Sequence, residues 1–363
     1  MSFPKITALC AVAAALLMSD PAHAQFIDRL LFYNEDTGAH ASASIEDPGE
    51  LAIRMVYPDR FEPLLGDDNS VKIATTEAGI FVYKRVGLFN PPYARNIRIT
   101  FDGVATYGPE QRGCEELVSR MVALGNHIFC YHDFFGHGVL GAVNNRGDFT
   151  RVFDVPTKVF EGYNHAIRTA NLFFFYNSET GVIAVGQIRQ SVITGQSSFE
   201  ATELGETDGG FTTIAAVHDR VLLYNARSGA YQALRFDLTS TDPSVPGNFQ
   251  GQYIVLQEGT LARGMYLAET LNEHIMLYDQ NSGNYAVGRL GFNGNFNIRQ
   301  TGLTSPGYGR IAGVGRYLVF LDYNQFLPPT GKAVIGTILP TGEYRELKKI
   351  NVGPYNGVVS ARG

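Results

Sequence analysis

Three histidines, His127, His132 and His137, fall within eleven residues, with Asp133 beside the second. Neutral imidazoles with a carboxylate are a donor set for zinc or copper. The strand pattern described below ends one strand at His132 and opens the next at His137. His132, His137 and Asp133 would then meet across one turn, and they are the candidate metal residues. His127 falls at the far end of its strand, roughly 16 Å away. The spacing matches no known ligand motif, so a surface turn of ordinary histidines is the competing reading. Cys114 and Cys130 flank the first histidine and are the only cysteines beyond residue 24. In an oxidising compartment the two invite a disulfide; the alternative is one buried and one surface thiol.

A second constellation is spread along the chain. Gly162-Tyr163, Gly210-Phe211, Gly264-Met265 and Gly307-Tyr308 recur at one position of a repeat, and Gly353-Pro354-Tyr355 is a looser copy. Ser70 and Val118 stand at that position in two further copies. Tyr163, Phe211, Met265, Tyr308 and Tyr355 are candidate ligand-binding residues, as an aromatic ring around a funnel. The competing reading makes each side chain a plug between neighbouring sheets. Arg120 and Arg168 lie on the strands that follow and are candidates to face the same funnel. No Gly-x-Ser-x-Gly elbow, His-Glu-x-x-His helix, phosphate loop or cofactor fingerprint occurs. Asp68, Glu115, Glu116, Glu161, Asp208 and Glu269 lie near those strands and could supply a glycosidase-type pair.

The elements that must position these residues come from one repeated unit. Residues 171–188 read NLFFFYNSETGVIAVGQI, an apolar run ending in Tyr, a polar turn, and a second run. Close variants start at Arg29, Arg220 and His274. The marker position falls at Tyr33, Tyr83, Tyr131, Tyr176, Tyr224, Tyr278 and Leu321, in steps of 50, 48, 45, 48, 54 and 43 residues. Four short strand-like runs fill each step, which is a β-propeller blade without room for a helix. The first unit lacks a strand before its marker, and the C-terminal segment 355–363 resembles that missing strand. The sequence therefore predicts seven four-stranded antiparallel blades closed by pairing of the N- and C-terminal strands. Asn34, Asn177, Asn225 and Asp279 are placed to cap the turns, with glycine four residues later. Small Ala43, Gly141, Gly186, Gly288 and Gly336 are expected where neighbouring sheets approach closely.

The chain from residue 25 on is similar to secreted bacterial β-propeller repeat proteins built on an apolar-Tyr-Asn-x-x-Thr-Gly unit. Its overall plan resembles propeller lectins, which implies a binding face at one end of the ring. Tectonin and tachylectin lectins carry Trp in each blade, whereas this chain has none, so their sugar-contacting residues do not carry over.

Lys5, the apolar run 6–18 and Ala22-His23-Ala24 form a secretory leader over residues 1–24, leaving 25–363 as one propeller domain. A secreted or periplasmic location follows. Lys+Arg 29 against Asp+Glu 35 gives net charge −6, which disfavours nucleic acid and anionic membranes. No later apolar run is long enough to span a membrane. The reading is a binding module rather than an enzyme, with no cofactor, taking a carbohydrate or a protein surface on the face made by the b–c and d–a loops. A glycan-active hydrolase or lyase, or a scaffold with a plugged channel, are the alternatives.

Overall fold

The computed structural model describes residues 28–34, 39–46, 49–57, 71–84, 93–100, 104–114, 118–155, 158–190, 197–240, 249–323 and 329–361. They form seven antiparallel sheets and, among the described residues, no helix. The chain is an all-β, seven-bladed propeller. In blades 3 to 7 the strands a, b, c and d follow one another outward, as in His165–Arg168, Phe173–Tyr176, Val182–Gln190 and Ser197–Glu206 of blade 4. In blade 2 the outer strand is split into Ala105–Tyr107 and Gln111–Arg112. Pro109 falls in that gap and brings no N–H to the ladder.

Blade 1 takes its strands b, c and d from the start of the chain and strand a, Gly357–Ala361, from its end. Leu31 faces Val359, Phe32 faces Val358 and Tyr33 faces Gly357. The seven inner strands then touch in a ring: Gly357–Ala361, Val71–Thr76, Arg120–Leu124, His165–Arg168, Thr213–Val217, Leu267–Leu271, Tyr308–Val314 and back.

In blades 3 to 6 the marker tyrosine holds its blade to the next. In blades 3, 4, 5 and 6 its ring is fully buried. The Tyr131 hydroxyl donates to the Tyr163 carbonyl at 2.8 Å, Tyr176 to Asp208 at 2.8 Å, and Tyr278 to Ser305 at 2.7 Å. Tyr224 donates likewise to the Ala262 carbonyl. The same oxygens accept the backbone N–H of Phe211, Met265 and Tyr308. Burial pushes the Tyr176 and Tyr278 hydroxyls up to about 12, so each remains a donor at any physiological pH.

The turn residues behave as their types require. Asn177 Oδ1 accepts the N–H groups of Glu179 and Thr180, and Asn225 and Asp279 repeat the pattern. Gly181 sits at φ +83°, and a Cβ there would stand 1.9 Å from the Thr207 carbonyl, so only glycine fits. Gly38 lies outside the described residues.

The small residues of strand c have a different reason from the expected one. A Cβ at Gly141, Gly288 or Gly336 would strike the ring of Phe149, Phe296 or Tyr344, which lies on strand d of the same blade. A bulge immediately precedes each of these glycines. The glycine makes room for its own blade's aromatic residue, not for the neighbouring sheet.

Deleting residues 357–361 with the two that follow removes strand a of blade 1 and exposes the edge of strand b to solvent. The truncated protein is expected to lose soluble yield and protease resistance. An unchanged melting temperature would contradict closure by the termini.

Candidate functional site at the channel mouth

The five ring residues are buried, with exposures of 6% for Tyr163, 3% for Phe211, 1% for Met265, 7% for Tyr308 and 4% for Tyr355. Each belongs to a separate apolar cluster that joins two blades. Val118, in register in blade 3, is buried too. Ser70 lies outside the described residues. The backbone N–H groups of Phe211, Met265 and Tyr308 feed the marker hydroxyls, and the glycines before Tyr163, Phe211 and Met265 are left-handed, at φ +83°, +88° and +94° for Gly162, Gly210 and Gly264. A Cβ at Gly162 would also press on the Asn177 amide at 2.5 Å. The expected aromatic funnel is therefore corrected. These side chains fill the seams between blades and offer no ring face to a ligand.

Two residues further along strand a the sequence changes character. The partners of the marker position across the a–b ladder are Lys72, Arg120, His165, Thr213, Leu267, Arg310 and Gly357. They stand at one level around the channel, on the face made by the b–c turns and d–a connections. Three have basic side chains and one is an imidazole, on blades 7, 2, 3 and 4. In ring order only Gly357 of blade 1 interrupts them.

The described surroundings orient these groups. Arg120 Nε donates to Asp133 Oδ2 at 3.2 Å, and the Arg310 guanidinium lies over the Tyr323 ring at 4.3 Å. Burial and the nearby Arg120 charge lower His165 to about 4, so its imidazole is neutral at pH 7. Arg168 is on the same strand but three residues deeper, opposite Phe173, and is half-buried.

Glu269 is the one acidic residue on the inner strands among the described residues. It stands two residues below Leu267 and accepts backbone hydrogen bonds from Gly313 and Thr270. It keeps a face that water can touch yet is enclosed by the channel wall. That burial pushes its carboxyl up to about 7, against the lowering pull of the two hydrogen bonds. Glu161 and Asp208 are exposed on the connections. Asp68, Glu115 and Glu116 lie outside the described residues.

The histidine turn does lie across one hairpin, but not as a metal site. The rings of His132 and His137 are 5.9 Å apart, and Phe135 stacks on His137 and lies tilted against His132. His132 Nδ1 accepts the N–H of Phe134 at 3.1 Å, and Asp133 is held by Arg120. Among the described residues no three His, Cys, Asp or Glu side chains converge on a metal position. The turn instead presents Phe134 and Phe135 to solvent, 73% and 45% exposed. Cys114 and Cys130 are disulfide-bonded, with Cα atoms 6.0 Å apart. Cys130 pairs with Met121 in the ladder, so the bridge ties the connection between blades 2 and 3 to strand b.

Lys72, His165, Arg310, Phe134 and Phe135 were not singled out from sequence. A gapless count back of eleven residues from the marker reaches Lys72, Arg120, His165, Thr213, Leu267 and Arg310. That register carries the signal. The exposed phenylalanines have none, because an apolar residue in a turn looks like core until its neighbours are known.

No protein-family profile matches the chain, and no curated protein matches it in sequence. Solved structures are similar in fold. A candidate 6-phosphogluconolactonase from Bacteroides fragilis aligns at TM-score 0.64 and 12% identity, over 94% of this chain and 99% of that one. A periplasmic gluconolactonase of Pseudomonas aeruginosa, PpgL, aligns at 0.59 and 13%, over 92% and 99%. Apo AztD from Citrobacter koseri aligns at 0.56 and 11%, over 92% and 98%. At such identities the likeness is one of fold.

Two outcomes follow from the site. Tyr163→Ala and Tyr308→Ala should each cost about 3–5 kcal/mol of stability, as large-to-small changes in a packed seam do. A loss below about 1 kcal/mol, read from denaturant melts, would show rings that are not packed. Glu269 gives a pH signature. Both states are protonated below its unfolded value of 4.5, and the folded state holds the extra proton up to about 7. The stability this confers is present at low pH and is lost as pH rises through 7. Glu269→Gln should therefore fall less in melting temperature than the parent between pH about 5 and 8. Parallel curves would refute the enclosed carboxyl.

Proposed function

We propose that the protein is an extracytoplasmic binding propeller that takes a small acidic sugar derivative at the channel mouth. The carrying observation is the level shared by Lys72, Arg120, His165 and Arg310, with cations on neighbouring inner strands of a chain whose net charge is −6. A carboxylate entering the mouth meets guanidinium groups suited to two-point hydrogen bonding. The neutral His165 suits a sugar hydroxyl. Phe134 and Phe135 stand on the same face, one and two residues beyond the aspartate that holds Arg120, and offer an apolar surface for the C–H groups of the sugar's carbon chain. The leader pattern of residues 1–24 and the Cys114–Cys130 bridge support an oxidising location.

A second reading, lactone hydrolysis, is favoured by one arrangement: an uncharged imidazole beside an arginine at the same mouth. Arg120 would polarise the lactone carbonyl while His165 accepts a proton from the attacking water and returns it to the ring oxygen as the acyl C–O bond breaks, giving the open hydroxy acid. Three of the similar structures carry lactonase names. A glycosidase pair finds less support, since Glu269 has no acidic partner on the described inner strands.

Titration calorimetry with gluconate and with glucose separates these ideas. Saturable binding of gluconate and not of glucose is expected. The doubly substituted Arg120→Gln, Arg310→Gln protein should lose tenfold or more in affinity, about 1.4 kcal/mol. Glucono-δ-lactone opening faster than its spontaneous rate, and slowed by His165→Ala, would establish the second reading. Absence of both binding and turnover would remove the mouth as a sugar-acid site.

A further inference from the structure

The opposite face, made by the a–b and c–d turns, carries a cavity of about 590 Å³ between blades 6 and 7. That volume is within the range of small-molecule sites, and the channel mouth shares none of its lining residues. Asn272, at φ +56°, takes a left-handed position that asparagine tolerates, and the tight turn there brings Glu273 and His274 to the blade 6 side. Gly342, at φ +88°, turns the c–d hairpin of blade 7 over His274, and a Cβ there would stand 3.2 Å from Nε2. Blade 7 supplies Tyr317, Leu339, Pro340 and Leu347 to the facing wall.

That facing wall is apolar, and Leu347 is 41% exposed, the kind of surface that a ligand covers. The blade 6 wall is an ion pair with open positions. Arg289 Nε donates to Glu273 Oε2 at 2.8 Å, and Nη2 donates to the same oxygen. In a fork-to-fork pair the two bonds are spread over both carboxylate oxygens. Here both fall on one, so Glu273 Oε1 and Arg289 Nη1 have no hydrogen-bond partner among the described residues. Both side chains line the cavity and stay partly exposed, 31% for Glu273 and 43% for Arg289. His274 adds no charge, because burial and the nearby arginines lower its pKa. Arg316 at the rim is committed: its Nε donates to the Tyr317 hydroxyl at 3.1 Å, and its guanidinium lies over that ring.

The ion pair is neutral in sum, yet it offers a negative acceptor beside a positive donor. A lone carboxylate on Arg289 would lie against Glu273, and a lone ammonium on Glu273 would lie against Arg289. Like charges so placed repel. A group that carries both charges a few bonds apart meets a charged partner at each end. We infer that this cavity is a second binding site, for an α-amino acid with an apolar side chain. Its carboxylate pairs with Arg289, its ammonium with Glu273, and its side chain lies on Leu339, Pro340 and Leu347. A neutral sugar finds too few polar partners on the apolar wall.

Calorimetry of the full-length protein tests the assignment with L-phenylalanine and two analogues. One is 3-phenylpropanoate, which lacks the ammonium, and the other is 2-phenylethylamine, which lacks the carboxylate. Phenylalanine should bind saturably, at one site per chain, about tenfold or more tighter than either, the scale of a charged hydrogen bond. Glu273→Gln should weaken phenylalanine by a similar factor and should not weaken 3-phenylpropanoate, which a merely unfolded cavity would lose as well. Leu347→Asn, at a position exposed enough to spare the fold, should weaken phenylalanine too. Arg310→Gln, on the other face, should leave its affinity unchanged. No saturable phenylalanine binding by the parent overturns the site, as does either analogue binding as tightly. Phenylalanine affinity that neither Glu273→Gln nor Leu347→Asn alters, or that Arg310→Gln lowers equally, overturns it too.

Discussion

A buried tyrosine hydroxyl that bonds across the seam between blades is the constraint on which this propeller depends. Apolar packing alone would let one blade slide on the next, since sheet faces of Leu, Val and Phe are roughly interchangeable. The hydroxyls of Tyr131, Tyr176, Tyr224 and Tyr278 each reach a specific carbonyl of the following blade. Each such bond contributes about 0.5–1.5 kcal/mol, but leaving the buried carbonyl unmet would cost more. The asymmetry fixes register rather than total stability. Leu321 has no hydroxyl, and the seam from blade 7 to blade 1 is an apolar cluster that holds Leu321 and Tyr355, while pairing of the two chain ends completes blade 1 itself.

Fixing the seam has a consequence for function. The ring residues Phe211, Met265 and Tyr308 are committed through both their side chains and their N–H groups. They set where strand a begins, and two residues later the chain reaches the channel at the same height in each blade. The repeat imposes position there without imposing residue type. Lysine, arginine, histidine, threonine, leucine and glycine all occupy that level. Chemistry enters where the repeat is silent, and cations stand on blades 7, 2 and 3, with the neutral His165 on blade 4. The enclosed Glu269 lies further in, where burial rather than a neighbouring charge governs its proton.

The fold was legible in the sequence because its signals are local and repeated. The Tyr-Asn-x-x-x-Gly turn, the marker spacing and the unmatched strand at each end dictated seven blades and the closure between Leu31 and Val359. The site was less legible. Whether Tyr163 lines a funnel or fills a seam depends on how far two sheets approach, a tertiary quantity with no local signature. His132, His137 and Asp133 were correctly placed at one turn, yet proximity did not make them ligands. His132 Nδ1 is taken by the Phe134 N–H, and Asp133 by Arg120. The small residues of strand c were recognised as a pattern, but their partner is the aromatic residue of the adjacent strand. In each case composition indicated an interaction, and only packing decided which.

The most direct test of the mouth as the binding site is a crystal structure of the protein grown with gluconate. The account predicts the carboxylate within hydrogen-bonding distance of Arg120 and at least one of Lys72 and Arg310, above the ring residues and clear of their buried side chains. Gluconate bound elsewhere, with the guanidinium of Arg120 still paired only with Asp133, would contradict it.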